Sequence, residues 1–407
     1  MNLAAGGARI GVKTRILPLF FALLLFSSAS TTDPFMASAV ADPPFASLTY
    51  GVQAFLWWDA TAAAIRLDQV RTMAFSHVKQ TFAWKDIEPI QDEWHFDAPD
   101  RILDEVERRG LKLVARLSDT PGWALPESAD PTTFIDSPPA NLNDFANYCF
   151  TVASRYRGRI AAYQIWNEPN LAREWGGRTP NAGEFVQLLR ACGGAIRPAD
   201  PDAILISGGL SPTGNDDARA RPDDLYFQAM YDAGFQHSID VVGVHAPGYT
   251  NPERSPDDAE RRGSRRFFTF RRVEDLRKIM VANGDAARQM AILEVGWTRD
   301  VVNPDYSWFA VNEKVQARHL VAAYRYAAEH WRPWVGLMST IYMADPSWTP
   351  KDEEFYWSIV APQGYQLPAY LALANMPKYC GTRVLPERDP SSPEATGLVP
   401  ATLCTES

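Results

Sequence analysis

From residue 48 onward, short β-rich apolar runs alternate with longer amphipathic stretches, and the alternation repeats eight times. The runs fall at 48–54, 76–82, 111–117, 161–167, 203–207, 239–245, 289–294 and 335–342. Helical periodicity places helices near 61–73, 98–110, 141–157, 181–196, 222–234, 271–284, 310–331 and 366–375. Runs such as Leu111-Lys112-Leu113-Val114-Ala115 and Ile239-Asp240-Val241-Val242-Gly243-Val244 are apolar almost throughout, the pattern of parallel strands covered on both faces. Eight β-then-α units predict an α/β fold of one kind, a closed (β/α)8 TIM barrel. An open doubly wound sheet would place a ligand at a switch point, and no Gly-rich phosphate loop follows any of the strands. A barrel takes about 250 residues, so a chain of 407 has room for long loops.

Local signals agree with this frame. In the helix near 98–110, Ile102, Leu103 and Val106 form one stripe, Asp97 or Asp100 is the expected N-cap, and Gly110 the stop. The segment 251–272 is dense in Arg, Asp and Glu, with Phe267, Phe268 and Phe270 embedded. It reads as a solvated loop or, because it follows strand six, as a lid over the barrel mouth.

The N-terminus reads as a targeting signal. Arg9, Lys13 and Arg15 precede an apolar run of 11 residues, Ile16 to Phe26, and Ala39-Val40-Ala41 offers a small-x-small cleavage site. A helical span needs about 20 apolar residues, so no stable membrane span is expected. Export to a secreted, extracellular location is the first reading, and a membrane anchor from an uncleaved signal the second. The division expected is 1–41 signal and spacer, 42–385 barrel, and 386–407 a Pro/Ser/Thr-rich tail. Cys149, Cys192, Cys380 and Cys404 form an even set in an exported chain. Pairing Cys149 with Cys192 would tie neighbouring helices, and Cys380 with Cys404 would staple the tail. Unpaired buried thiols are the competing reading of Cys149 and Cys192. A net charge of −9 disfavours a nucleic-acid partner.

Reactive groups in a barrel of this kind sit where strands end, at the C-terminal face. Strand four runs to Trp166 and is followed by Asn167-Glu168-Pro169-Asn170; strand seven ends Ile292-Leu293-Glu294 before Val295-Gly296-Trp297. Two carboxylates facing each other across a pocket are what hydrolysis of a glycosidic bond requires, one protonated and one ionised. A partly buried Glu beside Trp166 or Trp297 would have a raised pKa where its neighbours are neutral. Strand-end position alone does not decide which Glu plays which part.

Tyr163-Gln164-Ile165-Trp166-Asn167-Glu168-Pro169-Asn170 resembles the Asn-Glu-Pro signature of glycoside hydrolase clan A, and Ile292-Leu293-Glu294-Val295-Gly296-Trp297 is similar to its strand-seven nucleophile segment. The likeness is greatest to families 39 and 5, the β-xylosidase-like and cellulase-like members, and extends over roughly 48–375. Trp84-Lys85-Asp86-Ile87-Glu88-Pro89, Val242-Gly243-Val244-His245 and Pro368-Ala369-Tyr370 share it. The resemblance implies Glu168 as acid/base, Glu294 as nucleophile, a retaining outcome, and Asn167 as the contact to the sugar 2-hydroxyl. Three departures accompany it: Lys79 where these families place an Arg, Tyr342 where they place a Trp, and His245-Ala246-Pro247-Gly248-Tyr249 in place of a compact His-Pro-Tyr.

His245 is either a satisfied core residue or a partner of nucleophile or substrate, and Tyr249 shares the second reading. Trp84, Trp123, Trp166, Trp297 and Trp348 follow strand ends and are expected to offer flat faces to sugar rings. The substrate expected is an oligo- or polysaccharide. No cofactor is expected and no metal, since no His-x-His pair or clustered ligand spacing occurs. A catalytically silent carbohydrate-binding barrel is the alternative, supported by Lys79 and the altered strand eight. Sugar, linkage, and exo or endo action depend on loops 119–140, 170–180, 211–222 and 246–270.

Overall fold

The structure is a computed structural model and describes residues 42–381 and 383–388. The expected signal segment 1–41 and the tail from 389, with Cys404, lie outside the described residues.

Eight parallel strands close on themselves in sequence order. They are β1 (Thr49–Gln53), β2 (His77–Ala83), β3 (Lys112–Ser118), β4 (Ile160–Ile165), β5 (Ile204–Ser207), β6 (Val241–His245), β7 (Gln289–Val295) and β8 (Val335–Thr340). One long helix follows each strand: α1 (Ala60–Thr72), α2 (Asp97–Arg108), α3 (Leu142–Arg155), α4 (Ala182–Ala199), α5 (Asp223–Asp232), α6 (Val273–Ala282), α7 (Glu313–His330) and α8 (Pro368–Asn375). The expected (β/α)8 barrel is the observed fold, with each element displaced by only a few residues from its expected bounds. A hairpin, Lys378–Cys380 with Arg383–Leu385, follows α8. Beyond it Arg388 donates to the carbonyls of Ala374 and Thr72, so the chain is still fastened to the barrel past residue 386.

Caps explain where four of the eight helices begin. The side chains of Asp59, Asn141, Asn181 and Asn312 each accept from an N–H in the first turn, giving orphan donors a partner. The start of α2 differs from expectation: its N-cap is Phe96, which makes no side-chain cap, and Asp97 lies inside the first turn. There a carboxylate still favours the helix through the dipole. Pro99, Ile102, Leu103 and Val106 are the buried stripe, and Gly110 closes the helix at φ +65°. Cys149 on α3 and Cys192 on α4 form the expected disulfide, and Cys380 is also disulfide-bonded. Among the described residues no helix is long and apolar enough to cross a membrane.

The barrel interior is a small apolar layer of Val114, Ala162, Ile206, Val241, Ala291, Leu293 and Leu337, closed at its N-terminal end by Phe45. The Phe45 N–H donates to Gln289 Oε1 and its carbonyl accepts from Gln289 Nε2, both at 2.9 Å. Alternation along a strand then carries the inward face up to the other end. On β2 it runs from His77, which touches the Phe45 ring, through Lys79 to Thr81 at the mouth. On β3 it runs from Val114 to Arg116, and on β6 from Val241 through Gly243 to His245.

The charged segment 251–272 is a folded arm. Pro256–Arg261 is a short helix capped by Ser255, and the Arg266 guanidinium bonds Asp257, Glu260 and Asp275. Phe270 is buried against Trp331, which fixes the arm to the helix layer.

Candidate active site

A cleft of about 1080 Å³ opens at the C-terminal face of the barrel, and Glu168 and Glu294 both line it. Two local distortions bring them there. The chain leaves β4 with Trp166 at φ +72° and Glu168 at φ +37°, conformations that L residues rarely adopt. The turn is held by Trp166 N–H to Leu117 O and Glu168 N–H to Gly209 O, each 3.0 Å, and by Gln164 Nε2 to Trp166 O at 2.8 Å. Backbone strain enclosed by bonds of this kind is common where a functional side chain must be aimed. On β7 the register shifts against both neighbours between Ile292 and Val295. Leu293 belongs to the barrel interior, yet the next residue, Glu294, also faces the cleft, as a bulge allows.

His245 links the two acids. Its Nδ1 lies 3.0 Å from Glu168 Oε1 and 3.5 Å from Glu294 Oε2. One ligand-type atom from each of the three lies within 4.8 Å of the others. His245 is therefore a site residue rather than a satisfied core histidine, and its buried Nε2 has no partner. Gly209 makes room for it, since a Cβ there would lie 2.2 Å from His245 Cδ2.

Each carboxylate also has its own cation. Lys79, 1% exposed, donates to Glu294 Oε1 and to the Leu293 carbonyl, both at 3.2 Å. Burial draws the Lys79 ammonium down to about 8, against the pull of Glu294, so it is charged at neutral pH and below. Arg173 Nη2 donates to Glu168 Oε2 at 2.8 Å. Burial alone would raise the Glu168 carboxyl, but the Arg173 guanidinium and the His245 contact outweigh it and hold it well below the usual carboxylate range. The expectation of a raised pKa presumed neutral neighbours, and this neighbour is a cation. Two further carboxyls in the wall move the other way. Glu174 is pushed up to about 8 by burial and by the charges of Glu168 and Asp136. Glu353 is pushed up to about 7 by burial and by Glu354.

Asn167 lines the cleft beside Glu168, its Oδ1 3.3 Å from Gln164 Nε2. Tyr249 and Tyr342 line it as well, and the Ile341–Tyr342 peptide is cis. Tyr342 packs on Phe55 and Trp348, whereas Tyr249 packs on Phe268, Trp308 and Phe309. Aromatic walls thus flank the acids on two sides. Glu168, His245 and Glu294 are also a group of described residues whose atoms could surround a metal ion. Lys79 and Arg173 already neutralise both carboxylates, so a divalent ion would have to compete with two seated cations.

Four of the five expected sugar-facing tryptophans do not face the cleft. Trp84 is fully buried, stacked on Tyr148 with its N–H spent on Glu88 Oε2. Trp123 gives its N–H to the Glu88 carbonyl and meets Trp84 edge-on. Trp297 is fully buried, donates to Thr250 O, and sits where a Cβ at Gly248 would lie 1.8 Å from its ring. These rings, like buried Trp166, turn outward from the strand ends and brace the loops. Trp348 does face the cleft, joined by Phe55, Trp57 and Trp58 from the loop after β1, which the sequence did not single out. Arg116, Arg173, Glu174 and Asp119 were missed too. Of these, Arg116 had a signal: a charge at an inward position of an otherwise apolar strand.

Residues 54–168, under a third of the chain and ending on Glu168, match a family model described as beta-galactosidase, glycoside hydrolase family 42. A comparison with curated proteins gives no match. Among solved structures the chain is similar to a family 39 glycoside hydrolase from the gut symbiont Bacteroides cellulosilyticus WH2. That likeness has TM-score 0.59 and 18% identity over 82% of this chain and 64% of that one. A family 5 hydrolase of Streptomyces cattleya, crystallised with Manβ1-4GlcNAc, gives TM-score 0.58 and 17% identity over 81% and 79%. Xylanase 10B of Thermotoga maritima gives 0.52 and 17% over 80% and 94%. The chain spans less than two thirds of the family 39 protein. At such identities the structures establish the shared fold. The resemblance to clan A glycoside hydrolases is borne out in fold, and the family model matched over 54–168 is itself a glycoside hydrolase family.

Proposed function

We propose that this protein is an exported retaining glycoside hydrolase acting on oligo- or polysaccharides, with Glu294 as nucleophile and Glu168 as acid/base. One observation carries the reading: two carboxylates from opposed strand ends, each charge-balanced, with nearest oxygens within 4.8 Å across His245. Retaining enzymes hold their carboxyl groups about 5–5.5 Å apart, whereas inverting ones need roughly 6.5–9.5 Å to admit a water. The spacing here supports the first class.

In the first step Glu294 attacks the anomeric carbon while the bond to the leaving oxygen breaks and Glu168 gives that oxygen its proton. In the second, Glu168 takes a proton from water, whose oxygen replaces Glu294 on the same carbon. Lys79 sets its ammonium against the Glu294 oxygen, 3.2 Å away, in the group that makes the attack. Asn167, beside Glu168, is placed to contact the sugar 2-hydroxyl. The aromatic walls, led by Phe55, Tyr342 and Trp348, offer apolar faces to sugar rings.

A catalytically silent sugar-binding barrel is the second reading, favoured by Arg173 seated on the acid that must carry a proton. A panel of aryl β-glycosides and oligosaccharides separates the two. Hydrolysis by the parent protein that Glu294→Ala reduces about 10⁴-fold or more is expected of the catalyst. Sugar binding with no turnover on the whole panel favours the silent barrel. Equal rates for parent and variant would sink the nucleophile assignment.

A further inference from the structure

Both oxygens of Glu168 have a partner, Oε1 at His245 Nδ1, 3.0 Å away, and Oε2 at Arg173 Nη2, 2.8 Å away. Each oxygen of Glu168 thus carries one contact on the side from which a leaving group must approach, and a guanidinium can only donate. A proton on Glu168 removes the negative charge that the Arg173 guanidinium is paired with. Arg173 therefore stabilises one of the two states through which the proposed reaction must pass Glu168, and opposes the other.

The arginine is built to move while its backbone stays. Its carbonyl accepts from Ile135 N–H at 2.6 Å and Asp136 N–H at 3.1 Å, which fix the Ala172–Glu174 turn. Its side chain is 47% exposed at the cleft, against 10% for Glu168. The guanidinium donates to Glu168, and it lies within electrostatic reach of Glu174 and Glu353.

We propose that Arg173 is a positioning residue that latches Glu168 in its base form and must be drawn aside by the incoming leaving group before Glu168 can act as acid. The proposal rests on the glycosidase reading for its purpose, but not for its test. While latched, Glu168 suits the second half-reaction, in which it takes a proton from water. Unlatched, it suits the first, in which it gives one to the leaving oxygen. The balance between half-reactions is then set by a residue outside both Asn-Glu-Pro and the strand-seven segment. The groups facing Glu168 from the surrounding elements are Arg173 and Glu174 after β4, Lys79 on β2, His245 and Tyr249 from β6, Glu294 on β7, Tyr342 after β8, and Glu353 beyond it. Arg173 is the half-exposed cation of that set, and so the part a ligand can displace.

The test is a carboxyl ¹³C NMR titration of the full mature chain labelled at Glu, with Glu168 assigned from its loss in Glu168→Gln. Glu168 in the parent should titrate below the ordinary carboxylate range. Arg173→Gln should raise that midpoint by roughly 1–3 pH units, the effect of removing one adjacent opposite charge. Arg173→Lys, which keeps the charge, should restore most of the difference and guards against a folding defect in the Gln variant. The alkaline limb of kcat/KM on glycosides with poor leaving groups, which reports the acid of the free enzyme, should move up with it. An unmoved Glu168 midpoint in a folded Arg173→Gln protein overturns the latch. A moved midpoint in a protein that cleaves no glycoside keeps the latch and removes the hydrolase reading.

Discussion

The two ends of this barrel solve opposite problems with the same strands. At the N-terminal end the inward faces meet Phe45, whose backbone bonds to Gln289 while its ring fills the axis. At the C-terminal end, further along these strands and just past β4, the axis ends in Lys79, Arg116, Glu168, His245 and Glu294. The first arrangement lowers free energy by burying apolar surface. The second does the reverse, placing charges where water is scarce and balancing each with a counter-charge, an arrangement weak as a source of stability. One end holds the fold, and the other uses the rigidity so obtained to keep opposed charges apart.

That division can be broken or sharpened by substitution. Phe45→Ala at the closed end should cost about 3–5 kcal/mol, as for a fully buried ring, while leaving kcat of the folded protein within a few-fold of the parent. Denaturant unfolding and rates on folded protein check it, and a rate loss matching the stability loss would show that the ends are not separate. Lys79→Met at the open end should lower kcat about 100-fold, the scale of losing one preorganised charge contact. Lys79→Arg should recover much of it. An undiminished kcat in folded Lys79→Met would mean that the Lys79 contact to Glu294 takes no part in the rate.

Glu174 tests the energetic cost of the charged end directly. Its folded pKa of about 8 stands above the unfolded value near 4.5, so between those pH values the folded state holds a proton that the unfolded state has released. Stability from this group is present below about pH 4.5 and is lost as pH rises toward 8. Glu174→Gln removes that loss, so its Tm relative to the parent should climb by roughly 2 °C or more from pH 5 to pH 8. A flat difference would place the Glu174 carboxyl in contact with water. The smallest effect belongs to the rim. Trp58 lines the cleft with 76% of its surface exposed, so Trp58→Ala should leave Tm unchanged. It should raise KM for longer oligosaccharides several-fold while sparing aryl monoglycosides, consistent with about 1 kcal/mol of stacking. Equal effects on both substrates would remove Trp58 from the distal binding surface.

The sequence revealed most where chain geometry is regular. A run such as Leu113-Val114-Ala115 is apolar on both faces because the barrel covers both, and the position of Glu294 at the end of such a run was enough to place it at the mouth. His245 and Lys79 were readable for the same reason, being on strands. Side chains that leave regular structure were not. Trp84 and Trp297 follow strand ends just as Trp348 does, yet the first two fold outward onto Tyr148 and Phe270. Nothing periodic separates the cases, because the direction of a ring after the last paired residue is set by the loop. Arg173 and the wall from Phe55 to Trp58 lie in such loops, as does the aspartate turn at Asp119, φ +68°. The depressed Glu168 carboxyl follows from one of them, Arg173, and could not be anticipated without it.

Gly209 has no side chain and takes no part in the chemistry, yet the ring that touches both acids occupies the space its Cβ would need. The mutational footprint of this site is therefore wider than its list of reacting groups. A single-base change from glycine to alanine at this position would push His245 off both carboxylates at once. In a deep mutational scan, intolerance at position 209 should rival that at either acid, and a search restricted to titratable residues would overlook it.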